Sequence, residues 1–211
     1  MDKTTAGGFY TLCSWITKIA YINLLWIVFS IAGLLLFGIM PATIAICTVV
    51  RKWFLKEAEF AIFPVFVSTY KQEFFSANKL GVLLLLSACF LLADFLFLQS
   101  VGGLIQVIFT VPLIIVIFLL TAIILYVFPV YVHFEQSFFL QIKNALLIAI
   151  VNPLHLFLMM ITICAVSVIY WLLPSIIPFF GISLITVLVM FFALKSFASL
   201  ESRLNLEHKD S

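Results

Sequence analysis

Residues 80–132 read LGVLLLLSACFLLADFLFLQSVGGLIQVIFTVPLIIVIFLLTAIILYVFPVYV, and a single residue of that stretch, Asp94, carries a charge. The run is more than twice the ~20 residues that cross ~30 Å of hydrocarbon at ~1.5 Å per residue. "QSVGG" at 99–103 breaks it into spans of about 80–98 and 104–127. Backbone groups in lipid must be bonded within their own segment, which selects helices here. The period-two alternation of a barrel strand does not occur in it.

Working outward, the composition agrees. The 211 residues are 65% hydrophobic and 9% charged, where a soluble fold carries about 25% charged residues. The expected fold is all-α, a polytopic transmembrane helical bundle forming one membrane domain over 1–211. "PSIIP" at 174–178 divides a second apolar block into spans of about 146–173 and 179–194. The first run, Ile19–Val50, is ambiguous. Its thirty-two residues make a helix of about 48 Å, long for one crossing and short for two. Either 19–50 is a single tilted or kinked span, or a hairpin of 15–37 and 41–53 turns near "GIMP" at 38–41, where Gly ends one helix and Pro opens the next. The bundle then has five or six crossings.

Orientation follows from charge. Lys and Arg number eleven. Placing 51–79, 133–143 and 195–211 in the cytoplasm puts nine of them inside and leaves only Lys3 and Lys18 undecided, as the positive-inside rule asks. The expected location is the bacterial plasma membrane, multi-pass, with a cytoplasmic C-terminus. The net charge of +2 and the lack of a basic run argue against nucleic acid. Cys13, Cys47, Cys89 and Cys164 have no paired spacing and read as packing residues.

"FPVFV" at 63–67 returns as "FPVYV" at 128–132. The first copy opens a segment in which Phe60, Phe63, Val67, Tyr70 and Phe74 recur at helical spacing, with Ser68, Lys71, Gln72 and Glu73 elsewhere on the wheel. That is a helix lying in the interface or docked under the bundle. The second copy ends an incoming span. The pair reads as one interfacial requirement met twice rather than as a duplication.

Three stretches together, NLLWIVFSIAGLLLFGIMPATIAICTVVRKW at 23–53, YKQEFFSANKLGVLLL at 70–85 and FEQSFFLQIKNALLIAIVNP at 134–153, resemble the YesL-like family of bacterial integral membrane proteins. The resemblance covers most of the chain, and Asn-Leu-Leu-Trp and Pro-Ala-Thr are its most specific elements. It implies an accessory role near carbohydrate uptake by ABC-type permeases and brings no catalytic residues with it.

Few residues are chemical candidates. Asp94 is an ionisable group within hydrocarbon, costing about 2.5–3.5 kcal/mol on insertion scales, and so a functional candidate unless it sits at the interface. Asn152, Pro153 and His155 in "VNPLHLF" form a second polar spot, read as helix packing or as part of a permeation path. Pro41 with Thr43 is either a kink with its freed backbone groups satisfied or a broken helix lining a site. Asn23 and Gln106 are further polar residues within apolar runs. His133, His155 and His208 have no metal spacing, and no nucleophile motif occurs, so neither an enzyme nor a cofactor is expected. The expected partners are the lipid bilayer, ABC-type permease subunits and, left open, a second copy of the chain. The expected interaction surface is cytoplasmic and carries Phe63, Val67, Tyr70, Lys71, Phe74, Glu135 and Lys143. The alternative is a self-contained transporter or channel using Asp94 and the Asn152/His155 cluster.

Overall fold

A computed structural model describes residues 3–57, 59–134 and 136–207. The chain is α1 (Lys3–Ala32), α2 (Ile39–Phe54), α3 (Ile62–Gln72), α4 (Phe74–Val101), α5 (Gly103–His133), α6 (Phe138–Val151), α7 (Pro153–Leu172), a 3₁₀ turn at Pro174–Ile176 and α8 (Ile177–Glu207). No strand occurs among the described residues. Among the described residues, five segments are long and apolar enough to cross a membrane: Thr11–Ala32, Phe74–Val101, Gln106–His133, Pro153–Leu172 and Pro174–Ser202. Most of their large apolar side chains face outward, as lipid requires. This is a multi-pass membrane protein.

The ambiguous first run turns back on itself. α1 ends at Ala32, and residues 33–38 reverse the chain before α2 begins. Trp15 meets Trp53 edge-on at 5.6 Å between ring centroids, and Trp26 Nε1 donates to Thr43 Oγ1 at 3.1 Å. These pairs are nested about the turn, so the two helices are antiparallel. The reversal depends on two glycines. A Cβ on Gly33 would lie 2.4 Å from the Cα of Gly38, and one on Gly38 would lie 2.4 Å from the carbonyl oxygen of Ser30. Between them Leu34 and Leu35 both hold φ of 59°, a left-handed conformation costing roughly 1–2 kcal/mol per residue.

α2 is the centre of the molecule. Its sixteen residues span only about 24 Å, and α1, α3, α4, α5 and α8 all pack on it. Pro41, Ala42, Ile44, Ala45, Ile46, Cys47, Val49 and Val50 are buried, as expected for a helix that is apolar on all sides. The small side chains at 42, 45 and 47 let neighbours approach closely. α3 is the docked form of the amphipathic segment, with Phe66 and Tyr70 buried. Lys52 shares a crevice with Trp15 and Lys18 of α1, and Asn78 reaches Phe37 in the turn. The two FPV copies open α3 and close α5, yet Phe66 and Phe128 pack in one cluster around α2.

α4 and α5 form a long hairpin. Its turn is at Gly102 and Gly103, with φ of 63° and 66°. The span read as 146–173 is instead two helices, because Pro153 disfavours helical geometry at the residue before it. Asn152 accordingly adopts φ −121°, ψ 63°, and Pro153 opens α7. α8 packs antiparallel on α7 and on α1, and it continues to Glu207.

Gly38→Ala should lower the melting temperature in detergent, because the neighbours that must move are backbone. Gly181→Ala, whose Cβ would meet its nearest atom at 3.4 Å, should leave it nearly unchanged.

Candidate functional site

The polar residues singled out in the sequence fall into three separate environments. The first is the α1–α2 turn. Pro41 stands in the first turn of α2 and supplies no N–H to the carbonyl of Phe37, its i−4 partner. Asn78 Nδ2 fills that gap, donating to Phe37 O at 3.0 Å. Tyr70 donates its hydroxyl to Phe29 O at 3.1 Å, and burial pushes the Tyr70 phenol up, keeping the proton in place. Thr43 donates to Ile39 O at 2.7 Å while accepting from Trp26. Pro41 and Thr43 are thus part of a closed hydrogen-bonded hairpin.

Asn23 has a similar task. Its Nδ2 donates to Pro178 O at 2.7 Å, and its Oδ1 accepts from the N–H groups of Ile182 and Ser183 at 3.1 and 3.2 Å. Tyr170 donates to the carbonyls of Phe180 and Gly181 in the same turn of α8. Gln106 is elsewhere, near the start of α5, so the two do not form one network.

The second environment is a groove of about 1030 Å³ between α4 and α5. Asp94 is half-buried on its wall and has neither a hydrogen bond nor an ion pair among the described residues. The third is the α6–α7 break. Asn152 is buried with no partner for its Nδ2, and His155 is half-buried one turn further along α7. The adjoining recess, about 310 Å³, lies between α5, α6 and α7. It shares only Leu119 with the Asp94 groove, and neither Asn152 nor His155 lines either space.

The expected interaction surface is divided. Phe63, Lys71 and Lys143 are exposed. Val67 and Phe74 are half-buried, and Tyr70 is buried against Phe29. Tyr70 faces inward, where its hydroxyl adds a second bond to the Phe29 carbonyl beside that from the Gly33 N–H. Glu135 lies outside the described residues. The sequence reading missed a tie between these parts: Tyr131 donates its hydroxyl to Glu73, linking the end of α3 to the end of α5. Tyr131 in the second FPV copy was the available signal. Beside it, Asn144 Nδ2 donates to Gln136 Oε1, and Gln141 Nε2 to Gln136 O. At the other end of α2, Trp15, Lys18, Lys52 and Lys56 line one crevice, with Glu57 bridging Lys52 and Arg51. Such exposed pairs contribute about 0–1 kcal/mol. No three His, Cys, Asp or Glu residues gather as metal ligands among the described residues.

Residues 19–95 match the profile of a family described as "Protein of unknown function, DUF624". Over 203 residues the chain is 33% identical to the uncharacterized protein YesV of Bacillus subtilis (strain 168), covering 96% of this chain and 98% of YesV. It is 32% identical over 205 residues to YesL of the same organism, covering 96% of each. The chain belongs to this family. A third member, YteU of the same organism, is 35% identical over 180 residues, covering 85% of this chain and 81% of YteU. No solved structure matches the chain significantly. The family profile spans the α1–α2 hairpin, α3 and most of α4, which includes both the closed turn and Asp94.

The Pro41–Asn78 arrangement predicts a measurable coupling. Asn78→Leu should destabilise by about 1–3 kcal/mol, because it strands the Phe37 carbonyl. In a Pro41→Ala background the restored N–H serves that carbonyl, so Asn78→Leu should cost clearly less. Chemical unfolding in mixed micelles reads the double-mutant cycle.

Proposed function

We propose that this chain is a non-catalytic accessory protein of the bacterial plasma membrane that assists carbohydrate uptake by contacting an ABC-type permease. The contact face is the one carrying Phe63, Lys71 and Lys143, on the cytoplasmic side by the distribution of Lys and Arg. The observation that carries a contact role is the Tyr131–Glu73 bond. It ties the end of α3, with Phe63 and Lys71 outward, to the end of α5 ahead of Lys143, bringing two distant stretches together. The link to sugar uptake rests on the family resemblance described above.

A self-contained transporter has less support. It needs its intramembrane polar groups in one passage, whereas neither Asn152 nor His155 lines the groove that holds Asp94.

Affinity purification of the full chain from its native membrane in mild detergent tests the proposal. A sugar permease should be recovered in near-stoichiometric amount, and Lys71→Glu with Lys143→Glu should reduce it to background. Recovery of the chain without a permease, or a permease indifferent to the charge reversal, would contradict the reading.

A further inference from the structure

We infer that the groove between the outer halves of α4 and α5 is the seat of a transmembrane helix from another protein, one that carries a Lys or Arg at the depth of Asp94. Beyond Leu84 on α4 and before Ala122 on α5, the two helices have almost no company within the chain. Phe90, Phe97, Phe109 and Val116 are 67%, 65%, 56% and 46% exposed, and Leu113 is the one buried side chain of this region among the described residues. The rest of the bundle packs on the inner halves, through Leu80, Leu84, Tyr126 and Val130.

The shape of the groove selects a helix. Its α4 wall runs from Leu86 to Leu98, about 18 Å along the axis. On both walls the lining positions recur at three- and four-residue intervals, the spacing of a seam that receives knobs from a neighbouring helix. Two such seams held apart around an elongated apolar space leave the place of a third helix.

Charge selects the kind of helix. Asp94 is the one charged group in the groove, and a carboxylate at that depth is costly unless paired. Among the described residues no cation pairs with it. The nearest basic residue along α4 is Lys79, fifteen positions away or about 22 Å, and α5 contains no Lys or Arg at all. The exposed cations on the other apolar spans, Lys18 and Lys195, lie by the C-terminal end of α2, whereas α4 passes the start of α2 at Gly81 and carries Asp94 further away, so a second copy in the same membrane orientation brings no cation to that depth. The complement therefore comes from a different protein. The inference shares with the preceding proposal only the need for a protein partner; its surface, depth and chemistry are separate.

The test is photo-crosslinking in native-host membranes, with the full chain carrying a photoreactive side chain at Phe97. Adducts should map by mass spectrometry to an apolar helical segment of another protein that contains Lys or Arg. Asp94→Lys should lower their yield about tenfold or more, and changing the partner's cation to Glu should restore it. Val116→Trp, which fills the groove without altering charge, should abolish the same adducts; it stands in if Asp94→Lys alters the melting temperature. Adducts to lipid alone, to a second copy, or to a segment without a cation would overturn the inference. So would an undiminished yield in Asp94→Lys. If the captured protein is not a sugar permease, the groove assignment stands and the uptake proposal falls. If a permease is recovered equally with Asp94→Lys and gives no groove adduct, the outcome is reversed.

Discussion

A backbone carbonyl in hydrocarbon has no water to bond, and this bundle is arranged around the places where helices leave carbonyls open. The α1–α2 reversal is the principal one. Gly33 and Gly38 approach so closely that neither tolerates a Cβ, and the turn residues Leu34–Phe37 are apolar and exposed. Asn78 of α4 serves the Phe37 carbonyl, and Tyr70 of α3 adds a second donor to the Phe29 carbonyl, which also accepts from the Gly33 N–H. Each bond contributes only about 0.5–1.5 kcal/mol net, but leaving the carbonyl open in hydrocarbon costs more. That asymmetry draws α3 and the start of α4 onto the hairpin. At the first turns of α8, Asn23 of α1 and Tyr170 of α7 add side-chain hydrogen bonds that hold those helices to it.

Much of the architecture was legible because lipid enforces it. The apolar block at 80–132 and the breaker at Gly102–Gly103 lead directly to α4 and α5. The first run was not resolvable, since a thirty-two-residue apolar stretch suits one tilted helix or two short ones on hydrophobicity alone. What decides it is the fit between Gly33 and Gly38, a contact five residues apart that no periodicity reports. The central burial of α2 was likewise hidden: in a sequence, a helix surrounded by protein looks the same as one surrounded by lipid. The α6–α7 break at Asn152 was signalled by Pro153, though a kink and a full interruption give the same sequence.

The candidate residues separate along similar lines. Pro41, Thr43 and Tyr70, read as parts of a site or a contact surface, complete the hairpin. Phe63, Lys71 and Lys143 remain outward, and Asp94 remains without a partner in a groove of the outer bundle. Asp94 was legible because a charge within fifty apolar residues stands out. The Tyr131–Glu73 tie was not, because nothing in the chain marks two residues fifty-eight positions apart as partners. The division has a functional sense: the inner bundle is closed by its own hydrogen bonds, and the surfaces left open face other molecules.

The central claim is that the first apolar run is a closed hairpin about which the other helices assemble. Nitroxide labels at Trp15→Cys and Trp53→Cys, in a chain with its four native cysteines replaced, test it most directly. The hairpin predicts strong dipolar broadening, since those side chains stand 5.6 Å apart between ring centroids. A single helix through 19–50 would separate the two positions by about 57 Å and leave the spectrum unbroadened; that result would contradict the account.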